Sequence, residues 1–202
     1  MSPRSKAQFE AMQDAAREKI LDAGLVLFAH KGLAATGVTE IARKADVSLG
    51  LLYHYYASKE DLFSALVNMA IQGAGEALEG IGEAEFNAAD QIRKISRMVC
   101  EVLTRHNKTA YFFLLLIQAG LAGAVSQEHG EKIPCFENIG TPFLILQNMI
   151  STGQAQGTVK TGEPRQLAQL YWAAFQGLCL YKITMKGFLA PAPEQMDGIL
   201  LL

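Results

Sequence analysis

The sequence predicts an all-α protein: a small three-helix head at the N-terminus joined to a larger helical body. Three observations carry this. Apolar residues recur at helical spacing along most of the chain, and strand-like alternation persists nowhere. Proline is rare, six residues in 202, and sits at candidate boundaries (Pro3, Pro134, Pro142, Pro164, Pro191, Pro193). Two short helical segments, about 38–45 and 49–55, are separated by only three residues, Asp46-Val47-Ser48.

The elements follow in order. Ile20, Leu21, Gly24, Leu27 and Phe28 line one face of a helix over about Asp14–Lys31, which Gly32 ends. Val38–Ala45 turns Ile41, Ala42 and Ala45 inward. Asp46-Val47-Ser48 makes a tight connection. Ser48 is an N-cap for Leu49–Tyr55. That segment is too short to be stable alone and needs an anchor, for which Leu52 is suited. Tyr53, His54, Tyr55 and Tyr56 are four consecutive rings. One face cannot bury them all, so one or two must be exposed.

Ser58 with Asp61 resembles a capping box and opens a helix through Leu62, Phe63, Leu66, Met69 and Ala70 to about Leu78. Gly73, Gly75, Gly80 and Gly82 soften the pattern, and a junction is expected near 79–88. Gly73-Ala74-Gly75 lacks the preceding strand and third glycine of a dinucleotide loop. Four further segments are expected: Ala88–Arg105, Thr109–Ala124, Glu131–Gln156 with a break at Pro134 and Pro142, and Pro164–Lys186. The tail from Ala190 breaks the last helix.

Composition narrows the function. Half the residues (50%) are apolar and 19% are charged, enough to bury a sizeable core. Eighteen basic against twenty acidic side chains give −2, which argues against a blanket nucleic-acid binder but leaves room for a local basic face. Cys100, Cys135 and Cys179 form no CxxC pair and are expected to be buried, reduced thiols. The polar, basic N-terminal residues lack an apolar stretch behind them, so a cytoplasmic location is expected. Ala110–Val125, broken by Gln118, is shorter than the roughly 20 residues a membrane span needs. No GxSxG, HExxH or P-loop pattern occurs, and His30, His54, His106 and His129 show no ligand spacing. The expectation is no enzyme, no metal and no cofactor.

The stretch Ile20 to Leu62 resembles the N-terminal domain of the tetracycline-repressor (TetR) family of bacterial regulators. The resemblance rests on Ile20-Leu21, Phe28, Gly32, Thr36, Ile41-Ala42, Ala45, Val47-Ser48, Gly50, Leu52-Tyr53, Tyr56, Ser58-Lys59-Glu60 and Leu62 at their spacings. It covers about 45 of the 202 residues. It implies a helix-turn-helix DNA-binding domain over 1–60 and a helical ligand-binding and dimerisation domain over 61–202. It implies a homodimeric regulator, usually a repressor, on a palindromic double-stranded operator, released when a small molecule in the body shifts the spacing of the two heads.

Carried over position by position, the resemblance makes Gly37, Val38, Thr39, Leu49, Gly50, Leu51, Tyr53, Tyr55 and Lys59 the DNA-facing residues. Tyr53 and Lys59 are expected on phosphates and Tyr55 near the groove wall or a base. Arg4, Lys6 and Arg17 are further backbone candidates. Leu49-Gly50-Leu51 is unusually apolar: leucines touch thymine methyls but form no hydrogen bonds. Specificity is therefore expected to lean on Thr39, Tyr55, water and DNA shape. Residues 1–60 carry eight basic and seven acidic side chains, so phosphate attraction per subunit is modest.

In the body, Met98, Tyr111, Phe112, Phe113, Met149, Tyr171, Trp172, Phe175 and Gln176 are the pocket candidates, suited to a neutral or weakly polar ligand. Leu144, Met149, Tyr171, Leu178 and Tyr181 are the dimer-contact candidates. The alternatives are switching by oxidation of a cysteine, control by a protein partner, and, least supported, a helical enzyme.

Overall fold

The computed structural model describes residues 6–82, 87–105, 107–128 and 141–202. Arg4, His106, His129, Pro134 and Cys135 lie outside the described residues, as does the expected break before Pro142; the side chain of Lys6 is likewise not described. Two compact units divide the chain, one ending at Val67 and the other beginning at Asn68. This boundary falls past the expected 60/61, inside a helix. The physical reason is that Leu62, Phe63, Leu66 and Val67 are buried, with Phe63 set edge-on to Phe28 at 5.4 Å.

The first unit opens with α1 (Lys6–Ala35). It starts earlier than expected because the preceding Ala-Gln-Phe-Glu-Ala-Met-Gln run favours helix. Gly32 interrupts it at φ 80°, ψ 165°, a conformation that suits glycine, so the regular helix ends where expected. Then come α2 (Val38–Ala45), α3 (Leu49–Tyr55) and the first turns of α4 (Lys59–Gly82). Ile20, Phe28, Leu25, Ile41, Leu52, Leu62 and Leu66 form the interior, each 1% exposed or less.

The second unit holds the rest of α4, then α5 (Ala88–Arg105), α6 (Asn107–Glu128), α7 (Thr141–Ala155), α8 (Pro164–Thr184) and α9 (Pro193–Asp197). α4 runs through Gly73, Gly75 and Gly80 to Gly82 rather than stopping near Leu78, because Leu78 and Ile81 anchor its last turns in the core. Pro164 sits in the first turn of α8, where Glu163 accepts the Gln166 N–H at 2.8 Å.

The tail does more than break α8. α9 packs on α5, and Met196, Leu200 and Leu201 are buried. Val159 and Leu201 form an antiparallel bridge, and the Lys160 ammonium donates to the carbonyls of Gly198 and Ile199. Gly153 permits this approach, since a Cβ there would overlap the Val159 side chain. Among the described residues no helix is long and apolar enough to cross a membrane.

Candidate functional site: a helix-turn-helix face and an apolar cleft

The α2–α3 connection is built by local chemistry. Asp46 adopts the left-handed conformation (φ 55°, ψ 49°), and its N–H donates to the carbonyls of Ala42 and Arg43. Ser48 then caps α3, its Oγ accepting the Leu51 N–H at 3.1 Å. Leu52 is the buried anchor. Leu49 and Gly50 face outward, as do Tyr53 and His54; Leu51 is half-buried. Of the four rings, Tyr53 is 48% exposed and Tyr56 only 7%, so the strain of burying them all is avoided. Thr39 is exposed, Val38 half-buried, and Gly37 caps α2 with no side-chain hydrogen bond.

Two expected DNA-facing side chains are engaged inside the protein. Tyr55 is half-buried and donates its hydroxyl to the Gln13 carbonyl at 3.0 Å, tying α3 to α1. The Lys59 ammonium donates to the carbonyls of Leu33, Ala34 and Thr36 at 2.9, 3.2 and 3.1 Å. An ammonium has three N–H donors, so these bonds occupy all of them. Lys59 holds the end of α1 in the way cations favour helix C-termini. Among the described residues of this unit, Arg17, Lys19, Arg43 and Lys44 are further exposed cations. Lys31 is paired with Glu40.

The second unit contains an apolar cleft of about 260 Å³. Met98, Phe112, Phe113, Trp172 and Phe175, five of the pocket candidates, line it. Tyr111, Met149 and Gln176 do not. Met149 is core at 5% exposure, and Tyr171 is fully buried against Ser96, with 2.9 Å between the hydroxyls. Both are therefore also removed from the candidate dimer contacts. On helices apolar all round, periodicity alone does not fix which ring faces inward.

Sequence reasoning missed the α4 wall: Met69, Ala70, Gly73, Ala74, Ala77 and Leu78. The signal was present as small residues at adjacent helical turns, read only as a weakening of the helix. Ile95, Val99 and Val102 of α5 and Thr109 and Leu116 of α6 also line it, and among the described residues no charged side chain does. Phe113 meets Phe175 edge-on at 4.5 Å, and Trp172 lies 5.9 Å from Phe175 and 6.2 Å from Phe113.

Burial governs the ionisable groups nearby. It pushes the Cys179 thiol up to about 12, with Lys182 opposing, and raises Cys100, helped by Glu194 and Asp197. Burial also lowers Lys182, whose ammonium donates to the carbonyls of Val102 and Leu103 at 3.0 and 2.9 Å. Among the described residues no cluster of His, Cys, Asp or Glu could hold a metal ion.

A left-handed turn, a serine-capped short helix and a single buried anchor define a helix-turn-helix protein. Residues 20–66 match the family described as bacterial regulatory proteins, tetR family. Over these residues the chain is similar to that family of transcriptional regulators. It is 34% identical over 87 residues to the HTH-type transcriptional regulator AcrR of Shigella flexneri, an alignment covering 43% of this chain and 40% of that one. It therefore spans less than half of that relative. The HTH-type transcriptional regulator LuxR of Vibrio harveyi is 23% identical over 165 residues, covering 81% and 75%. The fold resembles that of AibR in complex with isovaleryl coenzyme A and operator DNA, with a TM-score of 0.64 at 18% identity over 91% and 94% of the two chains.

Proposed function

We propose that this chain is a homodimeric repressor that binds a palindromic DNA operator through α3 and is released by a small, largely apolar effector in the cleft. The observation that carries the reading is the orientation of α3: Leu52 inward, and Leu49, Gly50, Tyr53 and His54 outward on a helix locked by Asp46 and Ser48. An exposed face on a rigid two-helix frame is what major-groove reading needs. Leu49 and Leu51 would touch thymine methyls. Tyr53 would donate to a phosphate, Thr39 would contact a phosphate or base edge, and the Gly37 and Val38 amides at the α2 N-terminus would meet the backbone. Tyr55 and Lys59 act by fixing α3 and α1, so base reading leans further on Thr39, water and DNA shape.

Dimerisation would use α7 and α8, where Leu144, Leu170, Leu180 and Tyr181 are exposed. Two such pairs would make a four-helix bundle. The cleft supports control by a ligand over control by oxidation, since burial keeps Cys100 and Cys179 protonated and slow to react. AibR is crystallised with isovaleryl coenzyme A; among the described residues the cleft here has no cation in its lining to match such phosphates. A cytoplasmic location follows from the reading as a DNA regulator.

The test is selection of random DNA by the purified protein, with binding measured at several salt concentrations. A two-fold symmetric motif bound by a dimer and weakened in Tyr53→Ala is the expected result. Weak, motif-free, salt-driven binding by ligand-free protein would overturn it.

A further inference from the structure

The proposed effector cleft is apolar, but much of its apolar surface is of one kind. Four rings and two thioethers line it: Phe112, Phe113, Trp172 and Phe175, with Met69 and Met98. An alkyl chain needs none of these, since leucine and valine walls would bury it as well. Rings and methionine sulfur add an attraction that depends on the partner's π-system, beyond the area buried. Three of the rings already use part of that attraction on one another, Phe113 and Trp172 both packing on Phe175. Phe112 does not: it is half-buried, and among the described residues no other ring packs on it. On α4 the wall is low. It includes half-buried Ala74 and Gly73, where a Cβ would meet no atom within 4 Å, so a flat ring can lie there without meeting a branched side chain.

This argument rests on the cleft being the effector site. From it we infer the class of effector: a neutral aromatic molecule, a fused or linked ring system rather than an alkyl or acyl chain, with a ring packed against Phe112. Neutrality follows from the lining, which among the described residues holds no carboxylate, ammonium or guanidinium. An aromatic acid would find no cation there. An aromatic ammonium would gain from the ring faces, but no lining acid balances its charge.

Five probes of equal carbon count separate these cases: naphthylmethanol, decahydronaphthylmethanol, undecanol, naphthoate and naphthylmethylammonium. Calorimetry gives their affinities. Dividing each alcohol's affinity by its water-to-cyclohexane partition coefficient removes the plain hydrophobic contribution. On that scale naphthylmethanol should exceed the other two alcohols by about tenfold, the worth of a ring pair with a sulfur contact beyond area. It should also bind more tightly than the naphthoate and the ammonium. Phe112→Leu should remove most of the excess while keeping the scaled affinity of decahydronaphthylmethanol, which also shows that the variant's cleft is intact.

Equal scaled affinities for the three alcohols would overturn the aromatic inference while leaving the cleft as a plain apolar site; this comparison needs no variant. A larger value for undecanol would overturn it in favour of a chain. Tightest binding of the naphthoate or the ammonium would overturn the neutral class, and an excess untouched by Phe112→Leu would overturn the part given to that ring. Ala74→Phe, which fills the cleft from α4, should abolish binding of all five probes. Binding that survives it, or no binding of any probe to the wild type, would mean that the cleft is not the effector site, and the inference would fail with that reading.

Discussion

The head and the body place their chemistry by different means. In the head, backbone geometry decides: a left-handed Asp46, a Ser48 cap and the Lys59 clip on three carbonyls leave α3 with Leu52 buried, Tyr55 tied to α1, and Leu49, Tyr53 and His54 presented. In the body, side-chain volume decides: rings on α6 and α8 and small residues on α4 leave a space between them. Both units use a half-buried lysine to close a helix end, Lys59 on α1 and Lys182 on α5. The comparison teaches that a reading surface can be fixed by a few short-range bonds, whereas a cleft depends on residues distant in sequence agreeing about size.

The largest effect that could break this contrast is in the body. Phe175→Ala removes the ring that meets both Phe113 and Trp172 and should cost about 3–5 kcal/mol. Hydrogen exchange should show α6 and α8 losing protection. If α3 lost protection alone, the assignment of Phe175 to body packing would be wrong.

Leu52→Ala is the counterpart in the head, at about 2–5 kcal/mol. Here α3 should lose protection and operator binding should disappear, while thermal shifts by cleft ligands persist.

Lys59→Met sharpens the contrast further. Freeing three carbonyls at the end of α1 should cost about 1–3 kcal/mol. If Lys59 acts only as a clip, the salt dependence of DNA binding should keep its slope; a phosphate contact would lower the slope by about 1. Tyr53→Phe should do the reverse, weakening DNA binding with stability unchanged.

The smallest effect is alkaline. The Cys179 thiol is held up to about 12 in the folded chain against an ordinary value of 9.0. The unfolded chain then releases that proton first, so stability is full below pH 9 and falls as pH rises toward 12. Melting temperature should drop across pH 9–11 in the wild type, and less steeply in Cys179→Ala.

Much of the head was legible because its determinants are local. The bounds of α2 and α3, the tight connection between them and the Ser48 cap all follow from residues within one turn of each other. What escaped was any long-range use of a local motif: Lys59 reaches back to Leu33, and Tyr55 to Gln13. In the body, α5 was legible from its clear two-sided pattern, but the tail was not. Nothing near Leu201 announces that it pairs with Val159. The cleft was half legible, since large rings attract notice and missing side chains do not.

The wall of α4 at Gly73, Ala74 and Ala77 has one more consequence. Its chemistry is absence, and absence comes in graded steps: hydrogen, methyl, and then whatever a substitution supplies. One methylene in an apolar pocket changes discrimination between ligands by about 1–3 kcal/mol. On the function proposed above, these three positions would be a dial for ligand length and breadth, adjustable without touching the rings opposite or α3. A sensor built this way can be retuned to a new signal by single small-to-larger exchanges.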